Sequence, residues 1–387
     1  MAVYKIFPVQ DNTMYSMFPT MNTGIDPINQ ISNLNFAIDS APTVARALIQ
    51  FDSTDISNVL ETIVTGSWSA HFRSFIATAQ GINESSDLYL FPVSQSWNNG
   101  TGTYLDQPLT TDGSSWNNPA YSGSLITWDA GDPNNVIPYL RSTSSYNPIY
   151  SVQGGGNWYL TSSFGSFIYP YTQSFGMRSS QDLDITVTNT VHDWYSGSIT
   201  NSGFIIKWED AIEFNSNTQI QPVLQYYSID TNTIYPPQLE FRFDDFIWST
   251  SSAIEVLAQP NAFINLAENP GTFFSQSINR FRLNCRPKYP SRVWSTASLY
   301  TTQYYLPEGS LYAVKDLDTN EYVIDFDSDY TKISADTTSS YFDIYMNGLE
   351  PQRYYKILIQ VTSGGSTTVY DDNYYFKIVN GWSNRSH

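Results

Sequence analysis

The chain has 387 residues, of which 41% are hydrophobic and 16% aromatic, and its formal net charge is −18. This length suffices for two or three domains with sizeable cores. An acidic chain lacks the basic face that phosphate contacts need, which argues against nucleic-acid binding and against docking to an anionic membrane. The many aromatic residues argue against disorder and favour strands over long helices.

Targeting and redox features are sparse. The first residues, MAVYKIFPVQDN, lack the apolar core of a signal peptide. No apolar run approaches the roughly 20 residues of a membrane span. We therefore expect folding in the cytoplasm or export by an unusual route. The one cysteine, Cys285, excludes an intrachain disulfide, and its alternation with Phe281 and Leu283 predicts a small buried side chain.

The first third of the chain predicts strands around a polar segment. Residues 1–35 predict an opening strand followed by a polar arm, which could clamp a neighbouring subunit. Residues 45–56 (ARALIQFDSTDI) alternate apolar with polar side chains up to a turn, so we expect a strand with one buried and one wet face. Residues 67–79 predict another strand.

A long insertion follows. Residues 95–180 are rich in Gly, Ser, Asn, Pro, Tyr and Trp, and we expect residues 120–180 to elaborate one end of a sandwich. Clean alternation returns after residue 182, and residues 192–197 predict one helical turn or a tight corner. A Ser/Thr run near residue 248 predicts a domain boundary.

Several of these segments resemble, in order, the strands and turns of the DNRLRE-type, disaggregatase-related β-sandwich domains. The resemblance implies a jelly-roll-like sandwich over residues 1–248, of a kind used in surface and extracellular proteins, and it implies no shared active site. The matching segments are 45–56, 87–93, 97–102, 113–118, 183–188, 203–207 and 237–241.

The C-terminal segment has its own resemblance. Residues 348–355 (GLEPQRYY) are similar to the corner of fibronectin type III and immunoglobulin-like domains, with Tyr355 as the corner tyrosine. The resemblance implies a second sandwich over residues 249–387 that ends in a polar tail. The fold class expected for the whole chain is therefore all-β.

Candidate catalytic and metal sites are few. A serine triad needs a histidine base, but His71 and His192 are expected to be structural, and His387 is the last residue. Histidine and cysteine are too scarce for a metal cluster. Calcium at Asp325, Asp327 and Asp329 remains an alternative to a solvated strand edge. We expect no cofactor and no resident metal.

Two groups of residues are candidates for binding. Aromatic side chains flanked by Asn and Asp suit a sugar ring, and the loop aromatics are Trp128, Tyr139, Trp158 and Tyr159. Trp97 and Trp116 are expected as core residues instead. The second group is the one basic run, which is either a wet strand face or a docking patch for an acidic partner subunit, formed by Arg280, Arg282, Arg286, Lys288 and Arg292.

These features favour a non-enzymatic structural protein. The layout resembles that of a virion protein of a tailed bacteriophage, made in the host cytoplasm without a signal peptide. Its expected partners are other virion proteins, further copies of itself and a host surface glycan, but neither nucleic acid nor a membrane. The alternatives are a secreted carbohydrate-binding protein and a glycan-degrading enzyme.

Overall fold

The computed structural model is almost entirely β, as the sequence predicts. Two compact units are present. The C-terminal unit comprises Met1–Lys5, Ile63–Trp68 and Phe241–His387, and the N-terminal unit comprises Ile6–Thr62 and Ser69–Glu240. The structure describes residues 2–35, 42–82, 86–121, 125–126, 128, 136–138, 154–176, 178–213, 222–258, 261–289 and 303–380. Among these residues, no helix is both long and apolar enough to cross a bilayer.

The first sixteen strands alternate with short helices. The helices α1–α3 are Ser53–Asn58, Thr188–Ser196 and Asp210–Glu213, and Val59–Ile63 forms a π-helical turn. The strands β1–β16 are, in chain order, Ala2–Ile6, Pro8–Tyr15, Ile28–Asn35, Pro42–Phe51, Trp68–Ser74, Ile76–Gln80, Ser86–Pro92, Ala120–Tyr121, Leu125–Ile126, Val136–Pro138, Asn157–Tyr159, Tyr171–Phe175, Leu183–Thr186, Phe204–Trp208, Val223–Tyr227 and Gln238–Phe243.

Within the described residues, the N-terminal unit is built on an eight-stranded sheet of order β12-β7-β14-β4-β3-β15-β6, with β2 also paired to β4. The segment expected as a polar arm therefore supplies two sheet strands, β2 and β3. Facing this sheet, β13 pairs with β5. The rings of Phe51, Phe72, Phe204 and Trp194 meet between the layers, with centroids 4.8–6.2 Å apart.

Strand β4 differs from its expectation. The sequence predicts a wet face, but both faces are buried, and Arg46 is 0% exposed. Arg46 Nε donates to Glu213 Oε1 at 2.8 Å, and the guanidinium lies 4.8 Å from the ring centroid of Trp116. A buried charge is tolerated when it is paired and hydrogen-bonded. Its partners come from distant segments, so alternation alone could not predict this burial.

The glycine-rich turns of the N-terminal unit wrap a buried asparagine. Asn22 Nδ2 donates to the carbonyls of Asn99 and Ser114, and Asn22 Oδ1 accepts from the amides of Gly24 and Gly102. A Cβ added to Gly100 would lie 2.3 Å from Asn22 Oδ1, so only glycine fits there. The turn at residues 97–102, which contributes to the family resemblance, thus has a structural use.

Helix α2 lies where the sequence predicts one helical turn or a tight corner after β13. It spans Thr188–Ser196, and Gly197 ends it in the left-handed conformation with φ of 72°. The amide of Gly197 donates to the carbonyls of Asp193 and Trp194, as is common at a helix C-terminus.

The C-terminal unit contains two packed sheets in the residues described. They have the orders β17-β21-β20-β25-β24, with β18 on β20, and β19-β28-β26-β22-β23, with β27 on β26. A short 3-10 helix spans Met346–Gly348. The strands β17–β28 are Glu255–Val256, Ala262–Leu266, Thr272–Phe274, Ile278–Pro287, Tyr304–Tyr305, Leu311–Asp316, Tyr322–Ile324, Ser334–Ala335, Ser340–Tyr345, Tyr354–Ser363, Ser366–Tyr370 and Tyr375–Val379.

A dense aromatic core joins these two sheets. The ring centroids of Phe281 and Phe376 lie 5.8 Å apart, and those of Tyr312 and Phe342 lie 4.4 Å apart. Tyr355 is 2% exposed, and its hydroxyl donates to the carbonyl of Glu350 at 3.2 Å. This is the bond of a tyrosine corner, and it confirms the place predicted for Tyr355.

Candidate functional site

The basic run lies on one face of the C-terminal unit. Strand β20 alternates as predicted: Phe281 and Leu283 are buried, whereas Arg280 and Arg282 point away from the core. Antiparallel pairing places Arg286 beside Phe263 of β18 and Arg280 beside Asp343 of β25. We call this surface the arginine face, and its members are Phe263, Asn265, Ile278, Arg280, Arg282, Asn284, Arg286, Tyr341 and Asp343.

Two arginines of this face are fixed by carboxylates. Arg280 donates from Nε and Nη2 to the two oxygens of Asp343, both at 2.9 Å, and this pairing raises the pKa of Arg280. Arg282 donates to both oxygens of Asp336 at 3.1 and 2.7 Å. That pairing lowers the pKa of Asp336. Bidentate pairs of this kind fix the orientation of the guanidinium plane.

The same guanidinium groups stack on aromatic rings. Arg280 lies 4.0 Å and Arg282 5.6 Å from the ring centroid of Tyr341, which is only 5% exposed. Arg286 lies 4.8 Å from the ring centroid of Phe263. The negative face of each aromatic ring attracts the guanidinium cation above it and so helps to hold that side chain in place.

Large apolar side chains border this row. Phe263 is 49% exposed and Ile278 is 53% exposed, at the two ends of the paired strands. Lys288 is exposed just beyond β20, and its amide donates to the carbonyl of Asn261. Arg292 lies outside the described residues. The structure therefore brings three of the five predicted contact residues onto one face.

The predicted aromatic platform has a different arrangement. Trp128 is 6% exposed and donates from Nε1 to the carbonyl of Ser115, and Trp158 is 4% exposed. Tyr159 is half-buried, and Tyr139 lies outside the described residues. Rings as buried as those of Trp128 and Trp158 present no face to a sugar in this structure. Trp97 and Trp116, 3% and 1% exposed, are core residues, as predicted.

The end of the insertion explains this burial. The carbonyl of Gly155 accepts from Arg46 Nη1 at 2.7 Å, and Trp158 lies 5.7 Å from the Arg46 guanidinium. Trp158 also packs on Phe91 with 5.2 Å between ring centroids. The signal that could have revealed this arrangement is the arginine in a strand of apolar residues, since a charge there requires buried partners.

The other candidate residues have local structural roles. Asp327 Oδ1 accepts from the amides of Asp329 and Tyr330, which folds a turn rather than a calcium loop. Over the described part of the chain, no three acidic, histidine or cysteine side chains form a group that could hold a metal. Cys285 is buried, as predicted, and burial raises the pKa of its thiol to about 12. His192 stacks on Phe164, and burial lowers its pKa.

Comparisons with known proteins add little. No family model matches the chain, and no curated protein matches it. One similar solved structure is a DUF4785 family protein of Legionella pneumophila, which is 8% identical, with a TM-score of 0.18. The alignment covers 98% of this chain and 64% of that protein. A score this low supports no inference about fold or function.

Proposed function

We propose that this protein is a structural component of an extracellular particle, the virion of a tailed bacteriophage, and that it binds its neighbours through the arginine face. The observation that carries the proposal is the row of arginines stacked on aromatic rings at Phe263, Arg286, Arg282, Tyr341 and Arg280. Arginine and tyrosine are enriched among the residues that dominate binding energy in protein interfaces.

The side chains of the arginine face are already fixed in orientation, which favours the binding of a partner. Asp343 and Asp336 hold Arg280 and Arg282 in fixed orientations, so these side chains lose little conformational freedom when a partner docks. Phe263 and Ile278 add exposed apolar area to the row. They lie at opposite ends of the row, so each would form a separate apolar contact towards the edge of an interface.

The charges on this face are nearly balanced. It carries three of the chain's 18 basic residues, but Arg280 and Arg282 are each paired with a carboxylate, which leaves one net positive charge. The acidic surface of a second copy would therefore meet no strong repulsion here, and the contact would rest on the fixed guanidinium groups and on Phe263. We propose a homo-oligomer as the building block, and another virion protein would be the alternative occupant.

The layout of the sequence gives further support. The resemblance to DNRLRE-type and fibronectin-like domains implies modules used at surfaces, and the function needs no catalysis. We propose a place in the capsid decoration, the neck, a tail fibre or the baseplate.

The test is the composition of purified particles. Phage particles banded in a density gradient should contain the chain at a fixed ratio to the major capsid protein, as measured by quantitative mass spectrometry. Electron cryo-microscopy of the same particles should show the double sheet of the C-terminal unit in contact with a neighbouring subunit. A chain that stays entirely in the unassembled fraction would contradict the proposal.

A further inference from the structure

Three side chains of the N-terminal unit form a hydrogen-bonded row. Ser69 and His71 lie two residues apart on β5 and therefore point to the same side of the strand. Ser69 Oγ lies 3.1 Å from His71 Nε2, and His71 Nδ1 lies 3.0 Å from Asp184 Oδ1 on the neighbouring strand β13. A hydroxyl, an imidazole and a carboxylate linked in this order are the groups of a nucleophilic triad.

The carboxylate determines which imidazole nitrogen carries the proton. Asp184 accepts a hydrogen bond, so it favours the tautomer with the proton on Nδ1. Nε2 then presents its lone pair to the Ser69 hydroxyl, which is the orientation a general base requires. The side chain of His71 is 12% exposed and that of Asp184 43%, and Ser69 is half-buried, so the row lies at the surface of the sheet.

A helix begins beside the serine. The pairing of β13 with β5 places Thr186 opposite His71, and beyond it the amide of Val187 donates to the carbonyl of Ala70. Thr188 Oγ1 accepts from the amide of Ala70 at 3.0 Å. Continuation of this register brings Thr188, the first residue of α2, next to Ser69.

The start of that helix has no side-chain cap. Val187 occupies the N-cap position and makes no capping hydrogen bond. The first amides of a helix carry partial positive charge and stabilise negative oxygen atoms. The amide of Thr190 in this first turn already donates to the hydroxyl of Tyr171, so the helix contributes the positive end of its dipole near Ser69 rather than a complete set of donors for an oxyanion.

We propose that Ser69, His71 and Asp184 form a site for nucleophilic acyl transfer that reacts with carboxylic esters. Ser69 Oγ attacks the ester carbonyl while its proton moves to His71 Nε2. The bond to the leaving alcohol then breaks, and His71 returns the proton to that alcohol. Water, with His71 again as base, releases the carboxylic acid from Ser69, so the net reaction is ester hydrolysis.

This site goes beyond the proposed assembly function and does not depend on it. Asp184 lies 113 residues after His71 in the chain, so only the folded sheet brings the two side chains together. Ser69 and His71 would be the catalytic residues, and Asp184 a positioning residue. The sequence had favoured a structural role for His71.

The experiment uses a fluorophosphonate probe on the full chain. Its phosphorus bonds to a reactive serine oxygen while fluoride leaves with the proton. Intact-mass analysis should show one adduct, and peptide mapping should place it on Ser69. Ser69→Ala should abolish labelling. The control Ser198→Ala, which removes an exposed hydroxyl that is hydrogen-bonded to Ser196 Oγ, should leave it unchanged.

Two further variants test the roles. His71→Asn should slow both labelling and p-nitrophenyl acetate hydrolysis by about 100-fold. Asp184→Asn should slow them less, through kcat rather than through KM, because an amide in place of the carboxylate no longer orients the imidazole or stabilises its charged form. Circular dichroism identifies variants that fail to fold. Wild-type protein that takes no label, or that is labelled at another serine, would overturn the proposal.

Discussion

Arg46 Nε and Glu213 Oε1 lie 2.8 Å apart in the interior of the N-terminal unit, and both side chains are 0% exposed. Glu213 Oε2 also lies 2.9 Å from Lys207 Nζ, so one carboxylate serves two buried cations. Lys207 has a second acidic partner, Asp210, whose side chain is 62% exposed. This network ties the core strands β4 and β14 to α3.

The two acidic partners of Lys207 should differ in their effect on stability. Glu213→Gln removes the one negative charge that both Arg46 and Lys207 contact. It leaves two buried cations without that counter-charge and should lower the free energy of unfolding by about 3–5 kcal/mol. Asp210→Asn, the matched control, removes an exposed partner and should lower it by less than about 1 kcal/mol. Urea unfolding measures both, and equal losses would contradict the network.

Asp11 should make stability depend on pH. Burial raises its pKa from 3.8 to about 7, against hydrogen bonds from the amide of Ile229 and from Asn29. The folded state therefore binds a proton more tightly than the unfolded state. The contribution of Asp11 is fully present below about pH 4 and declines as pH rises to 7, by at most about 4 kcal/mol.

Asp11→Asn should remove this dependence. Both donors point to Oδ2, so an amide oxygen in its place keeps both hydrogen bonds. We expect the variant to gain stability relative to the wild type between pH 5 and pH 8, as measured by urea unfolding at each pH. A stability difference that stays constant over this range would show that Asp11 titrates normally.

The corner tyrosine gives a prediction with a neighbouring control. Tyr355→Phe removes the hydroxyl that bonds to the Glu350 carbonyl and should cost about 1 kcal/mol of unfolding free energy. Tyr354→Phe changes the adjacent residue, which is 42% exposed, and should cost close to nothing. The comparison fails if both variants unfold at the same denaturant concentration.

Sequence periodicity predicted the C-terminal unit better than the N-terminal one. Strand β20 alternates because one of its faces meets the core and the other meets solvent, so Arg280 and Arg282 were placed correctly. Strand β4 is covered on both sides, and its burial depends on Glu213, a residue 167 positions away. No local pattern encodes such a pair.

At the candidate sites, too, contacts between residues distant in the chain could not be predicted from the local sequence. The basic run was visible as a cluster in the chain, but its fixed geometry depends on Asp336 and Asp343 from other strands. The loop aromatics looked available because residues 95–180 have the composition of a loop. Trp158 is buried instead, since it packs near the Arg46 guanidinium.

The central claim is that copies of this chain bind one another through the arginine face. Sedimentation velocity over a range of protein concentrations tests it most directly, on the wild type and two variants with matched exposure. Phe263 is 49% exposed on the arginine face, and Val369 is 48% exposed on β27 of the other sheet. We predict association of the wild type and of Val369→Ser, and its loss in Phe263→Ser. A wild type that sediments only as a 43.8 kDa monomer, or equal association of both variants, would contradict the account.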